Sequence, residues 1–238
     1  MIIQDILIFK IKKEATKQTM KKFLLFVVSL VIVFNTVQAQ KVKFASPDMK
    51  KLTKELTGKN SGVYERLMQR YNNNDTLLTL NDYYLLYYGS ALKDSYNPVA
   101  DSPLRDSLNA AISKNQSGDA DYAKIKSISG QILQQLPFDI RTIDPAIYAC
   151  RMLNMSKEAS ALEFRMGRII ETIYNSGDGL TEDTPFHIVS TANELDMIMA
   201  LGFSPSSTSA VQAGNIRYWK VKENEFGVTG FYFKLVSR

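Results

Sequence analysis

The chain has 238 residues, 45% of them hydrophobic and 22% charged, with 29 basic against 24 acidic side chains and a formal net charge of +5. The excess sits at the start: without residues 1–39 the balance is 23 basic against 22 acidic residues, which offers no electrostatic basis for binding nucleic acid or an anionic membrane. Cys150 is the only cysteine and His187 the only histidine, so an intramolecular disulfide and the usual zinc ligand sets are both excluded.

Met20-Lys21-Lys22 opens an apolar run from Phe23 to Phe34, followed by Val37-Gln38-Ala39. A positive start, a short apolar stretch and small residues three and one before the cut predict a signal peptide over 20–39, cleaved after Ala39. The run is 12 residues long and contains Ser29, whereas a spanning helix needs about 20 mostly apolar residues. Residues 1–19 delay the signal and read as a start assigned too early. No cysteine lies near Ala39, so a lipid anchor of the lipoprotein kind is not expected, and the mature form is expected to be soluble without a membrane span.

Residues 40–60 are polar and Lys-rich and are expected to be a flexible lead-in. Residues 61–177 predict a helical array. Val63, Leu67 and Tyr71 recur at spacing four, and Thr79 with Asp82 starts a helix through Tyr83, Leu86, Tyr87 and Leu92. Ser102-Pro103 offers a cap with proline at the first helical position. A further helix begins around Asp121 and presents Ile125, Ile128, Ile132 and Leu136. Asp144-Pro145 repeats the capping device before Ile147, Cys150 and Leu153. Ser156 restarts the pattern, and Ala159, Leu162, Met166, Ile169 and Ile173 carry it to Ser176-Gly177. The stretches 104–136 and 143–175 have similar lengths, so a tetratricopeptide-like array is expected, although the signature Trp, Gly and Tyr positions of that repeat are missing.

After Thr184 the period changes. Phe186 to Ser190 predicts a strand, Thr191-Ala192-Asn193-Glu194 a capping box opening a short helix, and 216–221 with 229–236 two strands joined around Glu223-Asn224-Glu225. Residues 184–238 are thus expected to form a β-α-β-β unit with a small antiparallel sheet, packed on the array, and the fold class is α+β.

Tyr87-Tyr88-Gly89 with Tyr96-Asn97-Pro98, Ser176-Gly177-Asp178-Gly179, Phe186-His187-Ile188-Val189 with Glu194, and Phe231-Tyr232-Phe233 are four short motifs in a fixed order over about 60–236. In these motifs the chain resembles a secreted family of gut-type Bacteroidota, domain of unknown function 4919. The resemblance implies a periplasmic or envelope setting and a helical body with a terminal sheet; it brings no assigned activity and no catalytic residues.

Four groups of residues invite a chemical reading. Cys150 and His187 would make a thiol nucleophile and its base only if adjacent, but Cys150 lies in an apolar helical stretch where a free cysteine behaves as a small buried hydrophobe, and His187 reads as a strand residue with a satisfied ring. Asp178, Glu182 and Asp183 offer oxygen ligands for calcium on a glycine-rich loop, against a helix cap and solvated turn in which Gly177 and Gly179 take positive φ. The same carboxylates would serve a hydrolase only if they faced each other across a cleft, which one short loop rarely allows. Tyr83, Tyr84, Tyr87, Tyr88 and Tyr96 form the densest aromatic group and offer a platform for a sugar or a peptide, against core packing of a wide helix face. Trp219 is expected to cover one face of the sheet. Asp75-Thr76-Leu77 and Asp106-Ser107-Leu108 match a short acceptor pattern for O-glycosylation at Thr76 and Ser107.

No catalytic constellation and no cofactor motif is present. The reading is an exported envelope protein, non-enzymatic, whose helical array presents a surface to a protein or peptide partner. The alternative is a periplasmic glycan or small-ligand binding protein using the tyrosine group. Partner identity and oligomeric state are not encoded in any pattern of the chain.

Overall fold

The computed structural model describes residues 44–58, 61–116 and 121–237, with the backbone alone for 115 and 116. The expected leader and the extension before it lie outside the described residues. Seven helices come first: α1 (Met49–Leu56), α2 (Val63–Asn72), α3 (Leu80–Gly89), α4 (Arg105–Gln116), α5 (Tyr122–Gln135), α6 (Ile140–Met152) and α7 (Ser156–Tyr174). They are followed by β1 (Phe186–Ile188), α8 (Ala192–Ala200), β2 (Val211–Ala213), β3 (Ile216–Lys220) and β4 (Gly230–Leu235). The class is α+β. No helix of the described residues is long and apolar enough to cross a membrane.

The first departure from expectation is α1, which occupies part of the supposed flexible lead-in. Asp48 caps it by accepting the Lys51 amide at 2.9 Å, and Leu52 and Leu56, four apart among lysines, are both buried. Two buried leucines and the half-buried Met49 anchor the helix, too few to stand out in the sequence. At Gly89, the end of α3, a Cβ would collide with Leu56 and Tyr64, so glycine is what lets α1 and α2 close over α3.

Local signals hold elsewhere. Thr79 and Asp82 form the reciprocal capping box of α3, Asp121 caps α5 through the Lys124 amide, and Asn154 ends α6 with φ +59°, a value asparagine tolerates. The expected Asp144-Pro145 cap is corrected: α6 starts at Ile140 behind Asp139, and Pro145 lies inside it, losing the ladder bond to the Arg141 carbonyl. Asp139 does not cap through its side chain, because that carboxylate is committed elsewhere.

The sheet is mixed, with order β1-β4-β3-β2, which corrects the antiparallel β-α-β-β expectation. β1 runs parallel to β4 with Phe186 opposite Phe233, while β3 pairs antiparallel with both β4 and β2. Two successive antiparallel turns return β4 to the side of β1, and β2, three residues long and exposed, was too short to read as a strand. The expected capping box at Thr191 is absent; Thr191 donates its hydroxyl to the Pro98 carbonyl, and Glu194 is taken by β3. Phe186, Phe231, Phe233 and Trp219 are buried in a main core shared with α1, α2, α3, α6, α7 and α8. A smaller core joins α4 and α5 to Ala149 of α6.

Candidate binding cleft

The five tyrosines separate into two roles. Tyr83, Tyr87 and Tyr88 are no more than 2% exposed, and their rings stack edge-on with Tyr71, Phe138, Phe164 and each other. The Tyr87 hydroxyl donates to Asn193 Oδ1 at 2.8 Å and accepts the Val189 amide; the Tyr88 hydroxyl donates to the His187 carbonyl at 3.1 Å. Burial raises both phenolic pKa values. Such rings have no face to offer a sugar. Tyr84 is half-buried against Tyr88, with its hydroxyl accepting the Asp48 amide at 3.2 Å. Tyr96, the fifth, lines a cavity.

That cavity, of about 280 Å³, lies where the turn after α3, the α5–α6 junction and the β1–α8 connection converge. Tyr64, Tyr96, Leu136 and Phe138 give it an apolar floor, and Ser95, Asn97 and Gln135 a polar rim. The Lys93 ammonium sits 4.1 Å above the Tyr64 ring and pairs with Glu65.

Asp139 and Arg141 form the charged wall of the cleft and belong to a network in which Asp139 is buried and Arg141 exposed. Asp139 accepts from Arg105, from Thr142 Oγ1 at 2.5 Å and from Arg141 Nε at 3.2 Å; Arg105 also reaches Asp101 at 3.0 Å and Thr142 at 2.8 Å. At Asp101, burial pushes the carboxyl pKa up, and the Ser102 amide and Arg105 more than offset it, so the net shift is downward. Behind this network lies Asp196 of α8, 3% exposed, with Asn193 Nδ2 donating to it at 3.3 Å. Burial, reinforced by the Asp139 charge, pushes its pKa up to about 7. Glu194 makes a second buried contact set, accepting from Arg217 and from Trp219 Nε1 at 2.5 Å.

The family model for the domain of unknown function 4919 matches residues 50–238. This chain belongs to that family. No curated protein and no solved structure matches it. In this DUF4919 chain Tyr96, Asn97 and Val189, three of the motif residues that carried the resemblance, line the cleft, and Tyr87 lies behind it, accepting the Val189 amide.

The other sequence candidates are placed apart from it. Asp178 accepts the Leu180 amide at 3.0 Å and the Thr184 hydroxyl at 2.6 Å, while Glu182 and Asp183 point to solvent. Among the described residues no three acidic, His or Cys side chains are grouped as a metal site, so the calcium reading of Asp178, Glu182 and Asp183 is not supported. Gly179 takes positive φ as expected (+69°), but Gly177 does not; a Cβ there would strike the Thr184 and Pro185 carbonyls. Cys150 is buried on α6, its thiol 4.0 Å from Glu158, and His187 lies on β1 beside Ser176 and opposite Lys234, so no thiol–imidazole pair exists. The buried Nδ1 of His187 has no hydrogen-bond partner among the described residues, and burial and Lys234 lower the pKa to about 4. Thr76 and Ser107 are both exposed.

Sequence reasoning missed Asp139, Arg105 and Arg141. Arg105 and Asp139 are 34 residues apart, and no local spacing announces the pair.

Proposed function

We propose that this DUF4919 protein is an exported, non-enzymatic envelope protein that holds a peptide segment of a protein partner in the cleft between the α3 turn and the start of α6. The observation that carries the reading is the cleft itself: an apolar floor of Tyr64, Tyr96 and Phe138 under a rim of neutral hydrogen-bonding side chains, about the size of one or two amino-acid side chains. Its charges are already neutralised within the protein, which suits a partner recognised by shape and amide hydrogen bonds. Export is supported by the Met20–Ala39 pattern, and α4 to α7, each packed on the next, are proposed to stack as tetratricopeptide-like hairpins. Glycan binding through the tyrosine group is disfavoured because Tyr83, Tyr87 and Tyr88 are sealed in the core.

A photoreactive amino acid placed at Asn97 or Gln135, with Thr53 as a distant exposed control, tests the reading in envelope preparations. The same partner peptides are expected from both cleft positions and not from Thr53. An identical pattern at all three would overturn the cleft assignment, and recovery of the chain in the cytoplasm with residues 20–39 intact would overturn export.

A further inference from the structure

A second cleft, of about 410 Å³, opens between the end of α2 and the helices α5, α6 and α7. Its distinguishing residue is Arg165, which is 7% exposed. The guanidinium lies 4.0 Å from the centre of the Tyr71 ring, and Nη2 donates to the Tyr71 carbonyl at 2.6 Å and to Asn74 Oδ1 at 2.8 Å. Those contacts hold the C-terminal turn of α2, whose partial negative charge favours a cation there. They supply no formal counter-charge. Among the described residues no carboxylate forms an ion pair with Arg165. Among the described residues Nε and Nη1 make no hydrogen bond.

Buried charges in proteins are ordinarily paired, because an unpaired ion loses its hydration without recompense. The other charges on this cleft do not supply the partner: Glu158 is held by Lys126 at 3.0 Å. The wall therefore carries a surplus of one positive charge, on Arg165, in a cavity also lined by Leu133, Leu162 and Ala146. Both two-pronged edges of the guanidinium use Nη2, whose hydrogens are taken, so a ligand meets single N–H donors from Nε or Nη1, and a surplus of one positive charge matches a monoanion better than a doubly charged phosphate.

We propose that this cleft is a binding site for a monocarboxylate with a short apolar tail, the carboxylate pairing with Arg165 and the tail lying against Leu133 and Leu162. Two sources share this chemistry, a free short-chain acid and the C-terminus of a peptide ending in an aliphatic residue. The inference is independent of the peptide reading of the first cleft.

The test uses the full-length protein with butyrate, acetyl-Gly-Leu with a free C-terminus, butyramide and inorganic phosphate as probes, and reads the Arg165 Nε–H signal by NMR together with affinity by calorimetry. Butyrate or the peptide should shift that signal saturably, and butyramide should not. The tighter of the two acids identifies the source, and either supports the site. Arg165→Gln removes the charge and should weaken binding at least tenfold. Because that change also touches α2, Gly130→Phe serves as a second variant. A Cβ at Gly130, on the same wall, meets nothing within 4 Å, so a larger side chain is accommodated there. It should weaken binding at least tenfold with an unchanged or raised unfolding midpoint. Equal response to butyrate and butyramide, tighter binding of phosphate than of butyrate, or undiminished binding by Gly130→Phe would each overturn the proposal.

Discussion

The two clefts share Gln134 on their walls yet treat charge in opposite ways. In the first, Asp139 is answered by Arg105, Arg141 and Thr142 before any ligand arrives. In the second, Arg165 is answered by a carbonyl, an amide oxygen and a ring face, all neutral. A charge compensated from within stabilises the fold and leaves little field for a ligand to feel. One held in place by neutral groups is fixed in position and still has its electrostatic demand unmet. The first site should therefore discriminate by shape and the second by sign.

The sharpest way to break this contrast is to remove one arginine from each site. Arg105→Met leaves Asp139, 6% exposed, without its main partner, and such a loss costs roughly 3–5 kcal/mol. Arg165→Met orphans no carboxylate, only the Tyr71 carbonyl and Asn74, and should cost about 1–3 kcal/mol. Urea unfolding of both variants at pH 7 checks the order; an Arg165 variant that loses more than the Arg105 variant would show that its neutral partners matter as much as a counter-ion.

The network behind the first cleft has its weak point at Asp196, which does not line the cleft itself. With a folded pKa near 7 against an ordinary value of 3.8, the folded state binds the proton more tightly than the unfolded chain. Stability contributed by this group is present at low pH and is lost as pH rises from about 4 to 7. Asp196→Asn keeps a side chain of the same shape that does not ionise. Its gain should be absent at pH 4 and reach up to about 4 kcal/mol at pH 8. Urea midpoints across that range measure it, and a constant offset at every pH would mean that Asp196 is not the titrating group.

His187 acts with the opposite sign in an overlapping window. Its folded pKa, near 4, lies below the ordinary 6.5, so the unfolded chain takes up the proton first and stability falls as pH drops from 6.5 to 4. In the parent protein this loss and the Asp196 gain offset each other. In Asp196→Asn the His187 slope should stand alone, about 2–3 kcal/mol across the window. A flat profile in that variant would place a partner on Nδ1, contrary to its unsatisfied state.

What the sequence disclosed follows the same division between local and distant partners. The Thr79–Asp82 capping box and the Asp121 cap are settled within three residues, and both were legible. The aromatic face of β4 was legible because its alternation is internal to the strand. Thr191–Glu194 shows the same local pattern and fails, since Arg217 and Trp219, more than twenty residues away, bind Glu194 more completely than a helix end would. The parallel pairing of β1 with β4 and the contact of Arg165 with Tyr71, 94 residues apart, leave no mark on any window of sequence. For the tyrosines, spacing four predicts one buried face, and that reading accounts for Tyr83 and Tyr87. It says nothing of Tyr96, whose place at the cleft depends on the α5–α6 junction coming alongside.

The smallest expected effect separates the glycines of the two sites. Gly89 stands near the first cleft under Leu56 and Tyr64, and Gly130 stands on the second with open space around it. Both are helical, so alanine removes the same conformational freedom from the unfolded chain at either position. At Gly130 that gain is unopposed and should stabilise by about 0.5–1 kcal/mol. At Gly89 the methyl group meets the Leu56 side chain and the gain should turn into a net loss of roughly 1–3 kcal/mol as α1 is displaced. Thermal unfolding of the two alanine variants distinguishes the cases. Stabilisation at both would mean that α1 yields without cost, and Leu52 and Leu56 would then be a weaker anchor for that helix than their burial implies.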